Sequence, residues 1–323
     1  MMKKINLCTL PTPLKKLKRI NNNNIYIKRD DMTDLALGGN KARKLEYFMK
    51  DALDNDADYI VTYGSVHSNH CRMTAAAASK LGLSSLLILS KPDSKPSYNG
   101  NYFLYDLLDA EIYYVENNNV SGTIDKQLDK LKDKGHSPYF IYGGGHGNLG
   151  TQAYIDAYKE IEKQKTDKKI NFDYIFLASG TGTTQAGLIL GRKLLNNKEK
   201  IIGISIARNN ERGTNVIKES IEEYINQNQL NFEITNDEIT FLDRYIGKGY
   251  ADNYQEVKKT INEISKKEAI LLDPVYTGKA FYGMKDYIKS NNIENKNILF
   301  LHTGGTPILF SNADEFREDI NGI

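Results

Sequence analysis

The sequence predicts an α/β protein in which helices cover a parallel β-sheet. Apolar segments of strand length alternate with amphipathic segments of helix length along most of the chain. At 323 residues, the chain exceeds the length of about 250–300 residues at which hydrophobic cores tend to split, so we expect two domains. Loops rich in glycine and hydroxyl groups follow several strands, at the edge where open parallel sheets bind ligands.

Short apolar runs predict the strands, which lie at residues 25–28, 59–63, 86–89, 112–115, 139–142, 174–177, 201–206 and 298–301. Helices are predicted between them at residues 41–53, 69–81, 98–108, 123–134, 151–164, 184–195, 214–226, 254–267 and 277–290. Neither a repeat of fixed period nor a low-complexity linker interrupts this order.

Composition argues against several classes of protein. The formal net charge is +2, and no basic block alternates with aromatic residues as in a nucleic-acid groove, so nucleic acid is not expected as a partner. No apolar run approaches the roughly 20 residues of a membrane span, and Thr9, Pro11 and Pro13 interrupt the N-terminal apolar run that a signal peptide requires. Cys8 and Cys71 are too few for a disulfide framework. We therefore expect a cytoplasmic protein with reduced thiols.

Lys41 is the first candidate for chemistry. It follows Gly38 and Gly39, which allow close approach of the backbone to a ligand, and Asn40 is expected to cap the helix that begins there. The N-terminal end of a helix favours an anion by roughly 0.3–1 kcal/mol. Neighbouring cations such as Arg43 lower the pKa of a lysine and make it a better nucleophile towards carbonyl compounds. The alternative is an ordinary solvated lysine, since most cationic side chains are exposed.

Residues 64–70 join a strand to a helix. Ser68 or Asn69 is expected to cap that helix, and the free amides at its end suit a carboxylate or phosphate. His67, His70 and the adjoining Cys71 raise the question of a metal. A metal site needs at least three ligands in a fixed geometry, and no further His or Cys pair lies nearby in the sequence, so no metal is predicted. Capping with no further role is the alternative.

The strongest local pattern is the loop Gly180, Thr181, Gly182, Thr183 and Thr184, which separates a strand from a helix. Several amides and hydroxyls converge there, as an anion cradle requires. The spacing differs from that of the nucleotide phosphate loop and of the dinucleotide fingerprint, so a compact phosphate is the better candidate. An ordinary tight turn is the alternative, because a lone glycine-rich loop is weak evidence.

Three further segments follow strands or open helices. The glycine-rich loop at residues 143–150 is either a place of close backbone approach or a mobile connection, and its His146 could face a ligand or water. Tyr276, before a helix, and Tyr250, in a loop with two glycines, could face a ligand or the core. Thr303 puts a hydroxyl at the carboxyl end of the last predicted strand.

Together these segments resemble the 1-aminocyclopropane-1-carboxylate deaminase and D-cysteine desulfhydrase family. The matching motifs occur in the family's order at residues 28–31, 39–46, 68–70, 182–187, 273–279 and 302–305. The resemblance implies a pyridoxal-phosphate enzyme of fold type II, usually a homodimer, that acts on a small amino acid. It implies two open, twisted, mostly parallel sheets. A large cofactor domain (1–45 and 156–323) would carry a smaller inserted domain (46–155).

The resemblance also implies roles for individual residues. Lys41 would form the Schiff base with the cofactor and take the Cα proton. Asn69 would bond the phenolic oxygen of the ring, and Ser68 would hold the substrate carboxylate. Tyr250 and Tyr276 would flank the substrate. The residues that would bind the phosphate are Gly180, Thr181, Gly182, Thr183, Thr184 and Lys44.

The group that faces the pyridine nitrogen separates the two branches of the family. In the deaminases a Glu follows the tyrosine of the Asp-Pro-Val-Tyr motif, and its charge keeps the ring nitrogen protonated and the ring a strong electron sink. Here that position is Thr277, and Thr303 replaces a strand-end Leu, next to Gly304, which would also contact the cofactor. A hydroxyl stabilises a pyridinium less than a carboxylate does. The resemblance therefore favours α,β-elimination from D-cysteine to pyruvate, ammonia and sulfide.

Other functions stay open. Ser65, His67 and His146 depart from the family pattern where a side chain or leaving group would be read, so L-cysteate, D-serine or the cyclopropane amino acid could be the substrate. A non-catalytic binding protein on the same scaffold and a phosphate-binding domain without an aldehyde cofactor are the competing classes.

Overall fold

Two β-sheets organise the chain, and each uses a different part of the sequence. The computed structural model describes residues 2–320. The strands in that range are β1 Leu14–Lys16, β2 Asn24–Arg29, β3 Tyr59–Gly64, β4 Ser84–Ser90, β5 Glu111–Val115, β6 Pro138–Ile141, β7 Tyr174–Ser179, β8 Lys200–Ser205, β9 Thr240–Leu242 and β10 Asn297–His302. The larger sheet has the order β1-β2-β10-β7-β8-β9 and the smaller β5-β4-β3-β6.

Strand direction confirms the predicted fold class. In the larger sheet β1 is antiparallel to β2, and the other neighbours are parallel. In the smaller sheet every neighbouring pair is parallel. The predicted strands are confirmed, but β1 and β9 escape prediction. Both are three-residue strands at a sheet edge, and β1 exposes two of its residues, so neither produces a buried apolar run.

Helices connect the strands, and the predicted ones are confirmed with ends displaced by a few residues. Within residues 2–320 they are α1 Asn40–Asp54, α2 Asn69–Lys80, α3 Gly100–Leu107, α4 Val120–Asp133, α5 Asn148–Lys168, α6 Thr183–Leu194, α7 Asn210–Gln227, α8 Gln255–Glu268, α9 Thr277–Ser290, α10 Thr306–Ser311 and α11 Ala313–Ile320. The short α10 and α11 lie beyond the last predicted element. None of the helices in this range combines the length and apolar composition that a membrane crossing needs.

Both faces of each sheet are covered. In β7, Ile175 and Leu177 pack with α5, α6 and α7, whereas Phe176 packs with α8 and α9 on the opposite face. In β3, Ile60 packs with α1 and α2, whereas Val61 packs with α4. Successive strand residues point to opposite faces, and strands that are buried on both sides read as continuous apolar runs. This burial explains why these strands could be predicted.

A buried ionic network ties α1 to β2 and α5. Arg43 donates to Asp30 (Nη2 to Oδ1, 2.9 Å) and to Glu160 (Nη2 to Oε1, 2.8 Å), and Lys28 also donates to Glu160. Tyr154 donates to Asp30 at 2.7 Å. Arg43 lies in the first turns of α1, so this network fixes the start of the helix that carries Lys41.

The predicted domain boundaries at 45/46 and 155/156 fall within α1 and α5. These two helices pack against each other, and the two sheets draw on residues 14–29 with 174–302 and on residues 59–141. The division into domains stays a prediction.

Candidate active site

A cavity of about 940 Å³ lies where strand ends of both sheets meet. Its walls come from the loops that follow β3, β6, β7, β8 and β10 and from the start of α1. Because parallel strands end on the same edge of a sheet, loops that are distant in sequence converge there. The predicted site residues that line it are Lys41, Ser68, Asn69, Gly180, Thr181, Gly182, Thr184, Tyr250, Tyr276, Thr303 and Gly304. Those that do not are Lys44, Thr183 and Thr277.

The loop before Lys41 depends on its two glycines. Gly38 has φ +61° and Gly39 has φ +132°, both in the region that favours glycine. A Cβ on Gly38 would lie 2.0 Å from the carbonyl oxygen of Asp31, so no other residue fits. Helix α1 begins at Asn40, not after it, and Gly39 occupies the cap position without a side-chain bond. The expectation that Asn40 caps the helix is therefore wrong, because its amide instead donates to Thr184 Oγ1 at 3.1 Å.

Lys41 has the environment of a reactive amine. Burial, with the nearby Arg72 guanidinium, lowers its pKa to about 8. Its Nζ donates to Asn40 Oδ1 at 3.0 Å, which holds the amine at the cavity wall. A depressed pKa leaves a larger neutral fraction near neutral pH than an ordinary lysine has, and the neutral amine is the nucleophile and the base.

The start of α2 forms another part of the cavity wall. Ser68 Oγ accepts from the Cys71 amide at 3.2 Å, which confirms Ser68 as the cap of this helix. Because the hydroxyl acts as acceptor towards the helix, its hydrogen is free to donate into the cavity. Ser68, Asn69 and His70 all line the cavity. A helix N-terminus with a free hydroxyl is suited to a carboxylate.

The histidines have separate environments. Thr62 Oγ1 donates to the Ile141 carbonyl at 2.7 Å and so accepts from His70 Nε2 at 2.9 Å. This leaves His70 Nδ1 unprotonated and buried, without a hydrogen-bond partner among the described side chains and backbone. Burial, with Lys41 and Lys44 nearby, lowers the pKa of His70 well below its usual value.

His67 and His146 do not line the cavity, and the described residues hold no cluster of three metal-ligating side chains. His146 Nδ1 lies 3.0 Å from Thr183 Oγ1, so it packs behind the loop that was predicted to hold a phosphate. Burial lowers the pKa of both His67 and His146.

The loop after β7 has the features of an anion cradle. Gly182 has φ +84°, and a Cβ there would lie 2.9 Å from Ile217, so the tight turn into α6 requires glycine. Ser179 Oγ is buried and has no partner among the described residues. An orphaned hydroxyl beside free helix amides calls for a ligand, and a phosphate supplies the acceptors that both need.

Lys44 lies behind this cradle. Its Nζ donates to the Gly144 carbonyl at 3.1 Å, and the side chain is 1% exposed. Burial, with Lys41 nearby, lowers its pKa well below the usual value.

The loop at residues 143–150 is packed: a Cβ on Gly145 would lie 3.0 Å from Lys44 Cδ, and Gly143 and Gly144 line the cavity. Of the two interpretations of that loop, close approach is the one the structure bears out.

Two tyrosines and a threonine also line the cavity. The hydroxyls of Tyr250 and Tyr276 lie 2.6 Å apart, and burial, together with Tyr250, raises the pKa of Tyr276 well above its usual value. Thr303 and Gly304 line the cavity at the end of β10. Because burial raises the pKa of both Tyr250 and Tyr276, their hydroxyls stay protonated near neutral pH. Their contact lets one hydroxyl pass a proton to the other.

Thr277 does not reach the cavity. It is fully buried, and its hydroxyl donates to Asp273 Oδ2 at 2.7 Å and accepts from the Asp273 amide at 2.9 Å. Asp273 also accepts from the amides of Val275, Tyr276 and Thr277, so it stabilises the turn that leads into α9. Of the two threonines expected near the ring nitrogen, Thr303 lines the cavity and Thr277 does not; their role towards the ring stays a prediction.

Sequence reasoning missed the wall that follows β8. Ile206, Ala207, Arg208, Asn209 and Arg212 line the cavity. The Arg208 guanidinium donates a hydrogen bond to the carbonyl oxygen of Gly180, in the loop after β7. The signal available was two arginines just after a predicted strand, but their relevance depends on β8 lying beside β7, which the sequence alone does not reveal.

Comparison with known proteins finds similar proteins over nearly the whole chain. A family profile described as "Pyridoxal-phosphate dependent enzyme" matches residues 5–304. A Pyrococcus abyssi protein named "Putative 1-aminocyclopropane-1-carboxylate deaminase" is 37% identical over 98% of this chain and 95% of its own. A Klebsiella pneumoniae protein named D-cysteine desulfhydrase is 36% identical over 95% of each chain. A crystal structure of a homologue of 1-aminocyclopropane-1-carboxylate deaminase superposes with a TM-score of 0.90 at 36% identity, covering 98% of this chain and 96% of that one.

Proposed function

This chain belongs to the pyridoxal-phosphate dependent enzyme family, and its cofactor is pyridoxal 5′-phosphate; from that premise we propose that it catalyses α,β-elimination of D-cysteine. The overall reaction is D-cysteine and water to pyruvate, ammonia and hydrogen sulfide. The Klebsiella pneumoniae relative bears the name of this activity.

The residues present fit the cofactor. The loop after β7 offers free amides, the hydroxyls of Thr181 and Thr184 and the orphaned Ser179 Oγ to a phosphate. Lys41 would hold the aldehyde carbon, and Asn69 would donate to the ring's phenolic oxygen. When bound, the cofactor supplies an electron sink for the charge that develops at the substrate Cα.

The protein's own groups would then handle the substrate and its protons. Ser68 and the start of α2 bind the carboxylate, which orients the Cα–H bond. Lys41, whose pKa is about 8, takes the proton from Cα as its neutral amine. The hydroxyl pair of Tyr250 and Tyr276 holds a proton at the cavity wall and delivers it to the departing sulfur.

One observation carries the choice of substrate. None of the described residues that line the cavity is Asp or Glu, and the hydroxyl of Thr303 stands at the end of β10. Without a carboxylate the ring nitrogen is a weaker electron sink. Thiolate is a good leaving group and needs less stabilisation of charge than opening a cyclopropane ring does.

A second candidate is deamination of 1-aminocyclopropane-1-carboxylate. This activity is favoured by the names of several relatives, among them the Pyrococcus abyssi protein. It is opposed by the absence of Asp and Glu from the described residues that line the cavity. Elimination from L-cysteate or D-serine is a third, since Arg208 and Arg212 line the same cavity and could accept an anionic leaving group.

The test is a substrate panel with the cofactor-loaded enzyme. Sulfide and pyruvate are measured for D-cysteine and L-cysteine, sulfite and pyruvate for L-cysteate, pyruvate for D-serine, and 2-oxobutyrate for the cyclopropane amino acid. We expect sulfide and pyruvate from D-cysteine in equal amounts, and loss of both in Lys41→Ala. Turnover of the cyclopropane amino acid alone would refute the proposal. A loaded protein that turns over no substrate would instead favour a binding protein on this scaffold.

We also propose that the protein is a cytoplasmic homodimer with a large domain (1–45 and 156–323) and a small one (46–155). Leu37, Tyr98, Phe103 and Phe310 are exposed and line an apolar groove of about 440 Å³. Exposed apolar patches of this kind mark interaction surfaces, and a second copy is the occupant that the family resemblance favours. Light scattering after gel filtration measures the mass: a dimer is expected, and Phe310→Asp should weaken it.

A further inference from the structure

Arg72 is a buried cation without an acidic partner. Its side chain is fully buried in α2, and no carboxylate among the side chains that the structure describes, those of residues 2–316, lies within ion-pair distance of it. Buried charges are usually paired with an opposite charge. Arg43, which is also buried, follows that rule and forms ion pairs with Asp30 and Glu160. Arg72 therefore calls for an explanation other than ion pairing.

Three neutral acceptors surround the guanidinium instead. Nη1 donates to Asn69 Oδ1 at 3.2 Å and to Asn101 Oδ1 at 3.1 Å, and Nη2 donates to the Gly38 carbonyl at 2.8 Å. Nε has no partner in the described part of the chain. These acceptors belong to α2, to α3 and to the loop that leads into Lys41.

The contacts fix which way the Asn69 amide is turned. A guanidinium can only donate, so the atom of Asn69 that faces Arg72 is the oxygen. That oxygen accepts a second bond from Asn101 Nδ2 at 2.9 Å, and Asn101 Nδ2 is itself oriented by the His67 carbonyl at 2.7 Å. Because Asn69 Oδ1 already accepts two hydrogen bonds, the NH₂ group is the polar part of this side chain that can donate into the cavity. Asn69 lines that cavity.

The bond to Gly38 links the same guanidinium to the reactive lysine. Gly38 lies three residues before Lys41, in the strained turn that starts α1. We propose that Arg72 is a positioning residue of the active site, which presents the Asn69 amide as a donor to the cofactor's phenolic oxygen and holds the Lys41 loop against α2. The inference rests on the proposed function in taking Lys41 and Asn69 as cofactor contacts.

The charges around this cluster agree with that role. Arg72 is the charged group that, after burial, lowers the pKa of Lys41. The other titratable groups nearby are Tyr105, whose burial raises its pKa well above the usual value, and Lys44 and His70, which lie near Lys41. Tyr105 is neutral near pH 7, so it leaves the charge of Arg72 uncompensated.

The first test measures Lys41 in the cofactor-free protein. The pH dependence of Lys41 acetylation is followed by peptide mass spectrometry, with the exposed Lys126 as internal reference. We expect a midpoint near 8 in the parent protein. Arg72→Met should raise the midpoint and cut the neutral fraction at neutral pH about three- to tenfold. Arg72→Lys, which keeps the charge, should stay near the parent value. An unchanged midpoint in Arg72→Met would contradict the proposal that Arg72 holds the Lys41 loop close to its guanidinium.

The second test asks whether Arg72 acts through Asn69. The dissociation constant of pyridoxal 5′-phosphate is measured by equilibrium dialysis for Arg72→Lys, Asn69→Ala and the double variant. Loss of the oriented donor should weaken binding about tenfold in either single variant, and the double variant should be no weaker than Asn69→Ala. Additive losses would overturn the positioning role, and this cycle remains decisive if Arg72→Met fails to fold.

These outcomes are separate from a failure of the proposed function. If borohydride attached no cofactor to Lys41, the cofactor assignment would fall, while the response of the Lys41 midpoint to Arg72 would still be measured in the cofactor-free protein. A shifted absorption maximum of the bound cofactor in Arg72→Lys, with the circular dichroism of the fold unchanged, is the further result we expect from a positioning residue.

Discussion

Replacing Arg43 with methionine should cost the protein a large part of its stability. The guanidinium is 4% exposed and makes bonds of 2.8–3.0 Å to Asp30, Glu160 and Thr12. Methionine fills a similar volume but removes the direct ion pair of Asp30, which keeps hydrogen bonds from the Thr12 and Tyr154 hydroxyls and the more distant charge of Lys28. Removing one partner of a buried pair costs about 3–5 kcal/mol, because it strands a charge in the interior.

The loss should depend on pH. Burial opposes ionisation of Asp30 and Glu160, but Arg43 and Lys28 hold both pKa values below the usual 3.8 and 4.5. For an acid whose pKa is lower in the folded state, the stabilisation is complete above the unfolded pKa and is lost as pH falls through the folded pKa. The difference between parent and variant should therefore be full at neutral pH and shrink below about pH 4.

Urea unfolding of the cofactor-free protein at several pH values measures this difference. The matched control is Arg192→Met, which removes a single 3.1 Å pair with Glu238 near the surface and should cost about 1 kcal/mol or less. If Arg43→Met cost no more than the control, or if its cost were the same in acid as at neutral pH, the reasoning about the buried network would be refuted.

Further outcomes concern the site. Gly182→Ala should weaken cofactor binding in dialysis, because φ +84° costs a residue with a Cβ about 1–2 kcal/mol and the new atom would meet Ile217; an unchanged dissociation constant would count against the cradle. Thr277→Val should lower the free energy of unfolding by about 1–3 kcal/mol and leave the cofactor's absorption spectrum alone, whereas an altered spectrum would put its hydroxyl at the ring. Tyr276→Phe should lower kcat roughly 10²–10⁴-fold with little change in cofactor affinity, and an unaltered kcat would remove this tyrosine from proton transfer. The rate at which cofactor-free protein takes up pyridoxal phosphate should rise with pH and level off above about 8, where the Lys41 amine is neutral; a rate independent of pH would contradict this.

Local signals explain the parts of the site that the sequence predicts. Ser68 follows a strand and opens a helix, so capping alone fixes its place. Gly182 is required by a turn whose backbone only glycine adopts easily. Lys41 needs its two preceding glycines for the same reason. These features depend on a few consecutive residues.

Other parts depend on contacts between distant elements. Whether Thr277 faces the cavity is decided by Asp273, which takes its hydroxyl. Arg208 becomes relevant because β8 lies beside β7. Arg72 lies three residues after Asn69 on one helix face, so the sequence could have predicted a contact between these two side chains. The hydrogen bond from Asn101 could not be predicted, because Asn101 belongs to a separate helix. Tertiary orientation is the information that local pattern lacks.

The central claim is that Lys41 carries the cofactor. Borohydride reduction of the loaded protein, followed by peptide mass spectrometry, should find the pyridoxyl phosphate mass on Lys41, with the buried Lys44 and Lys279 unmodified. Label on another lysine, or reduction without any covalent attachment, would contradict the account.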